Sequence, residues 1–185
     1  VMSSRLPIVM RLAGIAPITD GSKSAQDYRE RSLLAANKDD LHEASIKSHG
    51  KEFVSRPGFP GKWQVVRPSG VKAGEELDAL LFEIIYVRAE KFLGDAVTDF
   101  SRFGLSKPAA EVEVTGKKDG KKFHHKYTLG KSDGGFTCMR WNGGTSVYGI
   151  RGEIIMKLFM FAESAGKPAA VPPVSPAKSV PLKKK

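Results

Sequence analysis

A chain of 185 residues, 41% of them hydrophobic, has room for one ordinary domain with tails and a real core, and is short for two domains. Its single cysteine, Cys138, excludes an internal disulfide and any metal site built on cysteines, so the fold must stand on packing. The formal charge of +10 is uneven: +3 over residues 1–62, −3 over 63–113, +6 over 114–162 and +4 over 163–185, an excess in one hairpin and the tail that favours an anionic partner.

Residues 1–38 read as an N-terminal arm, in which Pro7, Gly14, Pro17 and Gly21 interrupt any period and residues 24–36 form a short helix. The apolar run 6–19 is broken by Pro7, Arg11 and Pro17, falls short of the ~20 residues a membrane helix needs, and lacks the order of a signal peptide. The chain opens on Val1, as expected of a clipped or incomplete N-terminus. The folded domain spans 39–162. It begins with strands over 43–47, 52–55 and 62–67, separated by Gly50 and by the Pro/Gly cluster at 57–61, which makes an antiparallel meander. Over 75–86 the spacing of Leu77, Leu80, Leu81, Ile84 and Ile85 puts five aliphatic side chains on one helical stripe.

A segment at 87–92 and a turn over 95–103 lead to Gly104, placed for a positive φ, and to Pro108 at the entry of the next strand. There Ala110, Val112 and Val114 alternate with Glu111 and Glu113. Residues 116–120 turn the hairpin. The return strand, 121–129, carries Phe123, His125, Tyr127 and Leu129 on one face and Lys122, His124, Lys126 and Thr128 on the other. A second hairpin follows, 136–141 and 145–150 about Asn142-Gly143-Gly144. The closing helix, 152–162, lines up Ile154, Ile155, Leu158, Phe159 and Ala162. The order βββ-α-β-ββββ-α predicts an α+β domain: an antiparallel meander and hairpin sheet with two amphipathic helices packed on it. Residues 163–185, rich in Pro, Ala and Lys, form a flexible, extended tail.

No constellation in this order carries chemistry. Gly130-Lys131-Ser132 matches the end of a phosphate-binding loop, but His125 stands where its first glycine belongs and no helix follows. His124 and His125 point to opposite faces of a strand and lack a third metal ligand; a cross-strand packing role suits them better, and His42 and His49 read as surface residues. Cys138 reads as a small buried apolar residue, Glu111 and Glu113 as a solvated strand face, and Trp63 and Trp141 as core aromatics. The strongest candidate is the lysine hairpin. Lys117, Lys118, Lys121, Lys122 and Lys126, with Arg140 and Trp141 on the neighbouring strand and Lys183, Lys184 and Lys185 in the tail, make a basic surface with an aromatic. Lysines that discourage pairing at an open strand edge are the competing explanation.

Four segments in fixed order, Lys62-Trp63-Gln64-Val65-Val66-Arg67-Pro68, Phe103-Gly104-Leu105-Ser106-Lys107-Pro108, Tyr127-Thr128-Leu129-Gly130-Lys131 and Ser146-Val147-Tyr148-Gly149-Ile150, resemble the DUF4340 family, a bacterial domain without an assigned function. The resemblance covers residues 38–162. It departs at Phe103, where tyrosine is more typical, and at Thr137-Cys138-Met139-Arg140, where the family often has Tyr-Ala-Arg. It implies a non-catalytic domain, commonly membrane-anchored through a preceding span and found beside export or gliding components. A membrane-associated or extracytoplasmic setting follows from that resemblance alone.

The first functional expectation is therefore an accessory interaction domain, a subunit of an envelope- or membrane-associated assembly. Its partners are other protein subunits, and it takes no cofactor and no small-molecule substrate. The alternative is a binder of nucleic acid, lipid headgroups or another polyanion through residues 117–126 and the basic tail, with strongly salt-dependent affinity. An enzyme would need a pocket with perturbed titratable groups, which the sequence does not assemble.

Overall fold

The computed structural model describes residues 29–34, 36–59, 61–71, 73 and 75–165. They form strands β1 (Leu41–Ser48), β2 (Lys51–Pro57) and β3 (Trp63–Arg67), helix α1 (Glu75–Ile85), strands β4 (Lys91–Gly94), β5 (Ala110–Lys118), β6 (Lys121–Asp133), β7 (Phe136–Trp141) and β8 (Val147–Arg151), and helix α2 (Glu153–Ala165). All eight strands join one antiparallel sheet in the order β3-β2-β1-β5-β6-β7-β8-β4, the α+β architecture the sequence pattern predicts.

Alternation decides which side of the sheet is covered. Ala44 and Ile46 of β1, Phe53 of β2, Val112 and Val114 of β5, Tyr127 and Leu129 of β6, and Met139 of β7 share the inner face, and cross-strand register aligns them. Both helices bury their stripes there. In α1 the stripe is the expected one. In α2 it runs Ile154, Ile155, Leu158, Phe161, Ala162 and Ala165, because the helical period selects Phe161. Phe159, expected in that stripe, turns to the flank and packs on the His49 ring at 4.3 Å. The helices are antiparallel neighbours, with Glu83 paired to Lys157 and Ser164 Oγ donating to Glu76 at 3.5 Å.

After α1 the chain reaches the far edge at β4, then returns over the other face of the sheet through residues 95–108. That connector builds a second, smaller core of Val97, Leu105, Cys138 and Val147, flanked by Leu93, Phe100 and Phe103. Its anchor is a backbone-to-backbone approach. A 3-10 turn, Ser101–Phe103, ends on Gly104 at φ 71°. A side chain at Gly104 would lie 2.8 Å from the Lys131 nitrogen, and one at Gly130 would run into the Phe103 carbonyl oxygen. The Gly130-Lys131-Ser132 segment is thus interior strand in β6.

The expected helix over 24–36 is not found where it can be seen. Residues 29–34 are extended: Ser32 bridges Arg88, and the Ala89 N–H donates to the Arg31 carbonyl at 2.8 Å. Arg29 lies over the Phe92 ring at 3.9 Å and grips Asp95 with two hydrogen bonds, of 2.8 and 3.0 Å. Leu33, Leu34 and Ala36 enter the main core, so the packed unit starts before residue 39. Pairing with the 88–95 segment beats local helix propensity, a tertiary override. The remainder of the arm, and residues 166–185 with Lys183, Lys184 and Lys185, lie outside the described residues.

Candidate polyanion interface

The β5–β6 hairpin is longer than its sequence suggests. Only Asp119 and Gly120 turn the chain, at φ 50° and 79°, as in a two-residue hairpin turn. Gly116, expected in the turn, is a strand residue: the Phe123 ring and the Asp40 carbonyl fill the space a side chain would need. Lys117 and Lys118 therefore enter the ladder, directly opposite Lys122 and Lys121.

Neither neighbour follows this hairpin to its end. Pairing with β1 reaches Gly116, and pairing with β7 starts at Tyr127 opposite Trp141. There Asn142 closes the ladder: its Oδ1 accepts from the Lys126 N–H at 2.7 Å, and its own N–H donates to the Lys126 carbonyl at 2.8 Å. The tip is thus a two-stranded arm projecting from an eight-stranded sheet.

The basic residues separate into two kinds. On the outer face Lys126 sits between Glu111 at 2.9 Å and Glu113 at 3.2 Å, and His124 meets Glu113 at 3.2 Å. Glu111 first, then Glu113, hold the Lys126 ammonium above the usual lysine range. Burial pushes the Glu113 carboxyl up, but Lys126 and His124 outweigh it and leave it below its ordinary value. Arg140, on the same face, donates to the carbonyls of Gly144, at 2.7 Å, and of Gly143, and lies over the Phe100 ring at 4.1 Å. It fixes the β7–β8 turn, and does not share a surface with Trp141, which faces the other way. Toward the tip this neutralisation stops: among the described residues no carboxylate pairs with Lys117, Lys121 or Lys122.

On the inner face, beyond the helices, lies a row of rings. Phe123 and His125 are 5.3 Å apart, centroid to centroid, and His125 stacks on Trp141 at 5.4 Å with 27° between the planes. Asn142 Nδ2 reaches His125 Nδ1 at 2.9 Å. Because Asn142 Oδ1 already accepts from Lys126, Nδ2 is the donor, which places the imidazole proton on Nε2. Burial holds the His125 pKa below the ordinary histidine value. All three rings are half-buried, and the Trp141 indole N–H has no acceptor among the described residues. Sequence reasoning places Phe123 and His125 on one face; their meeting with Trp141 depends on the β6–β7 register, which no local signal reveals.

Elsewhere the chemistry is quiet. Cys138 is buried under the connector, and burial pushes its thiol up. Trp63, only 2% exposed, is a core residue as expected. A cleft of about 340 Å³ opens around the His49-Gly50 turn and residues 108–111. Its Glu52 is engaged by Ser45 and Lys47, and its Glu111 by Lys126. No three His, Cys, Asp or Glu side chains are grouped for a metal among the described residues, and no helix there is long and apolar enough to cross a membrane. Set against family models, curated proteins and solved structures, the chain matches none.

Proposed function

We propose that this protein is a non-catalytic interaction domain, an accessory subunit of a larger assembly, that engages an anionic partner through the β5–β6 arm. One observation carries this reading: the in-register lysine pairs Lys117/Lys122 and Lys118/Lys121 at the end of the arm. Like charges directly opposite on a ladder are destabilising, and across Lys117 and Lys122, which meet no carboxylate among the described residues, a bound anion relieves the repulsion. Matched pairs on both strands of a projecting arm concentrate positive potential where a partner meets it first. The engaged carboxylates of the outer face and the covered thiol argue against a reaction centre there. Association with an envelope assembly rests on the family resemblance alone.

Lysine-directed cross-linking in native extract, after separating membrane from soluble fractions, tests this reading. Links from Lys117, Lys118, Lys121 or Lys122 to one recurrent partner are expected. Links spread evenly over the surface lysines, or confined to the opposite edge at β3, would contradict it.

A further inference from the structure

The lysine pairs end where the row of rings begins. Lys118 and Lys121 alternate onto the inner face of the sheet, the face that carries Phe123, His125 and Trp141. Moving from the tip toward the sheet, an incoming chain meets a pair of cations, then Phe123 lying over Gly116, then the stacked His125 and Trp141. The β6 edge beside this path is open, because β7 pairs only from Tyr127 onward.

From this juxtaposition we propose that the arm and its ring row form a binding track for single-stranded nucleic acid, with the backbone phosphates held at the lysine-bearing tip and bases stacked on Phe123 and Trp141. The inference rests on the anion-binding reading of the arm and names its partner. An acidic protein face would use the lysines, but has no call on a row of half-exposed rings. A single strand uses both, because every base offers a π-face and a backbone charge. Duplex is disfavoured, since its bases are already stacked on one another.

Trp141 adds a separate argument. Its indole N–H is buried without an acceptor among the described residues, a cost that phenylalanine at this position would avoid. A purely structural ring here is better served by phenylalanine, whereas the indole offers the larger stacking surface. Lys126 of the outer face does not extend the track, since it is held by Glu111 and Glu113.

The test is a titration of the full chain with an oligothymidylate of about 15 nucleotides, followed by tryptophan fluorescence, with heparin and poly-glutamate as parallel ligands. Trp63 is 2% exposed, so quenching reports on Trp141. The expected result is quenching by the oligonucleotide and a loss of its affinity by about tenfold or more in Phe123→Leu, with heparin affinity unchanged. Phe123→Leu keeps apolar volume over Gly116, and Phe123→Tyr, which keeps the π-face, should restore binding. If oligonucleotide and heparin both bind and neither responds to Phe123→Leu, the arm is a charge contact only: the stacking track is wrong and the anion-binding reading stands. Binding of poly-glutamate alone would give the arm an acidic protein partner and overturn the nucleic-acid inference. Failure of all three ligands to bind would overturn both.

Discussion

Gly130→Ala probes the contact that holds the connector to the sheet. In an ordinary strand, replacing glycine with alanine gains roughly 0.5–1 kcal/mol of backbone entropy, so propensity alone argues for stabilisation. At residue 130 the new methyl group would strike the Phe103 carbonyl oxygen, and would lie 3.1 Å from the Gly104 carbonyl carbon and 3.2 Å from Leu105 Cδ2. Two of those atoms are backbone of a 3-10 turn and its glycine cap, so relief requires the connector to lift. Overpacking of that kind costs about 1–3 kcal/mol, which outweighs the propensity gain and leaves a net loss of about 1–2 kcal/mol. For a unit of this size that is a fall in melting temperature of roughly 4–8 °C. Gly149→Ala is the internal control. It too lies in a strand, in β8, and its new methyl group meets side-chain atoms of Lys91 at 3.3 Å and Leu93 at 3.5 Å, which can shift. Its stability should change by less than about 1 kcal/mol. Thermal and urea unfolding measure both variants, and the reaction rate of Cys138 with a thiol reagent gives a second readout, because the connector covers it. Gly130→Ala at least as stable as Gly149→Ala, with Cys138 still slow to react, would refute the docking of Phe103-Gly104-Leu105 on Leu129-Gly130-Lys131.

Three further outcomes are expected. Tyr127 is buried with its hydroxyl lacking a partner among the described residues, and burial pushes its pKa well up; Tyr127→Phe should therefore be neutral or more stable by about 1 kcal/mol in urea unfolding, and a loss of that size would mean the hydroxyl is bonded. Arg29 holds the Asp95 carboxyl below its usual value against the opposing effect of burial, with Ser146 assisting. That contribution is present above the unfolded value of about 3.9 and is lost as the pH falls through the lower folded value, so the stability gap between wild type and Asp95→Asn should close in that acid window; a gap constant across it would contradict the ion pair. Lys122→Glu converts the like-charge pair with Lys117 into an attractive one, so it should unfold at slightly higher urea at low salt, with the gain fading at high salt, while anion affinity falls.

The strands and helices were legible because their periods are clean: Ala110, Val112 and Val114 could only be a half-buried strand, and the α1 stripe only a helix. Two misplacements have physical causes. The 29–34 segment pairs with a strand edge distant in sequence, and no local pattern announces such pairing. Phe159 and Phe161 both lie in an apolar run, and the helical stripe, continued to Ala165 and packed with Phe161 5.3 Å from Phe53, decides between them. The lysines of the arm were visible in composition, but their matched pairing followed from the shorter Asp119-Gly120 turn. Arg140 was grouped with Trp141 by adjacency, although neighbours in a strand face opposite ways. The ring row emerged only once β6 and β7 were in register.

The most direct test of the arm as an anion contact is the salt dependence of oligothymidylate affinity, compared between wild type and Lys117→Glu/Lys122→Glu. Lys117, Lys121 and Lys122 on phosphates imply a slope of log affinity against log salt of about −2.1, or roughly 20-fold weaker binding on going from about 50 to about 200 mM salt. The double variant should bind more weakly, with a slope no steeper than about −0.7. A wild-type slope near zero, or the same slope in both proteins, would contradict the account.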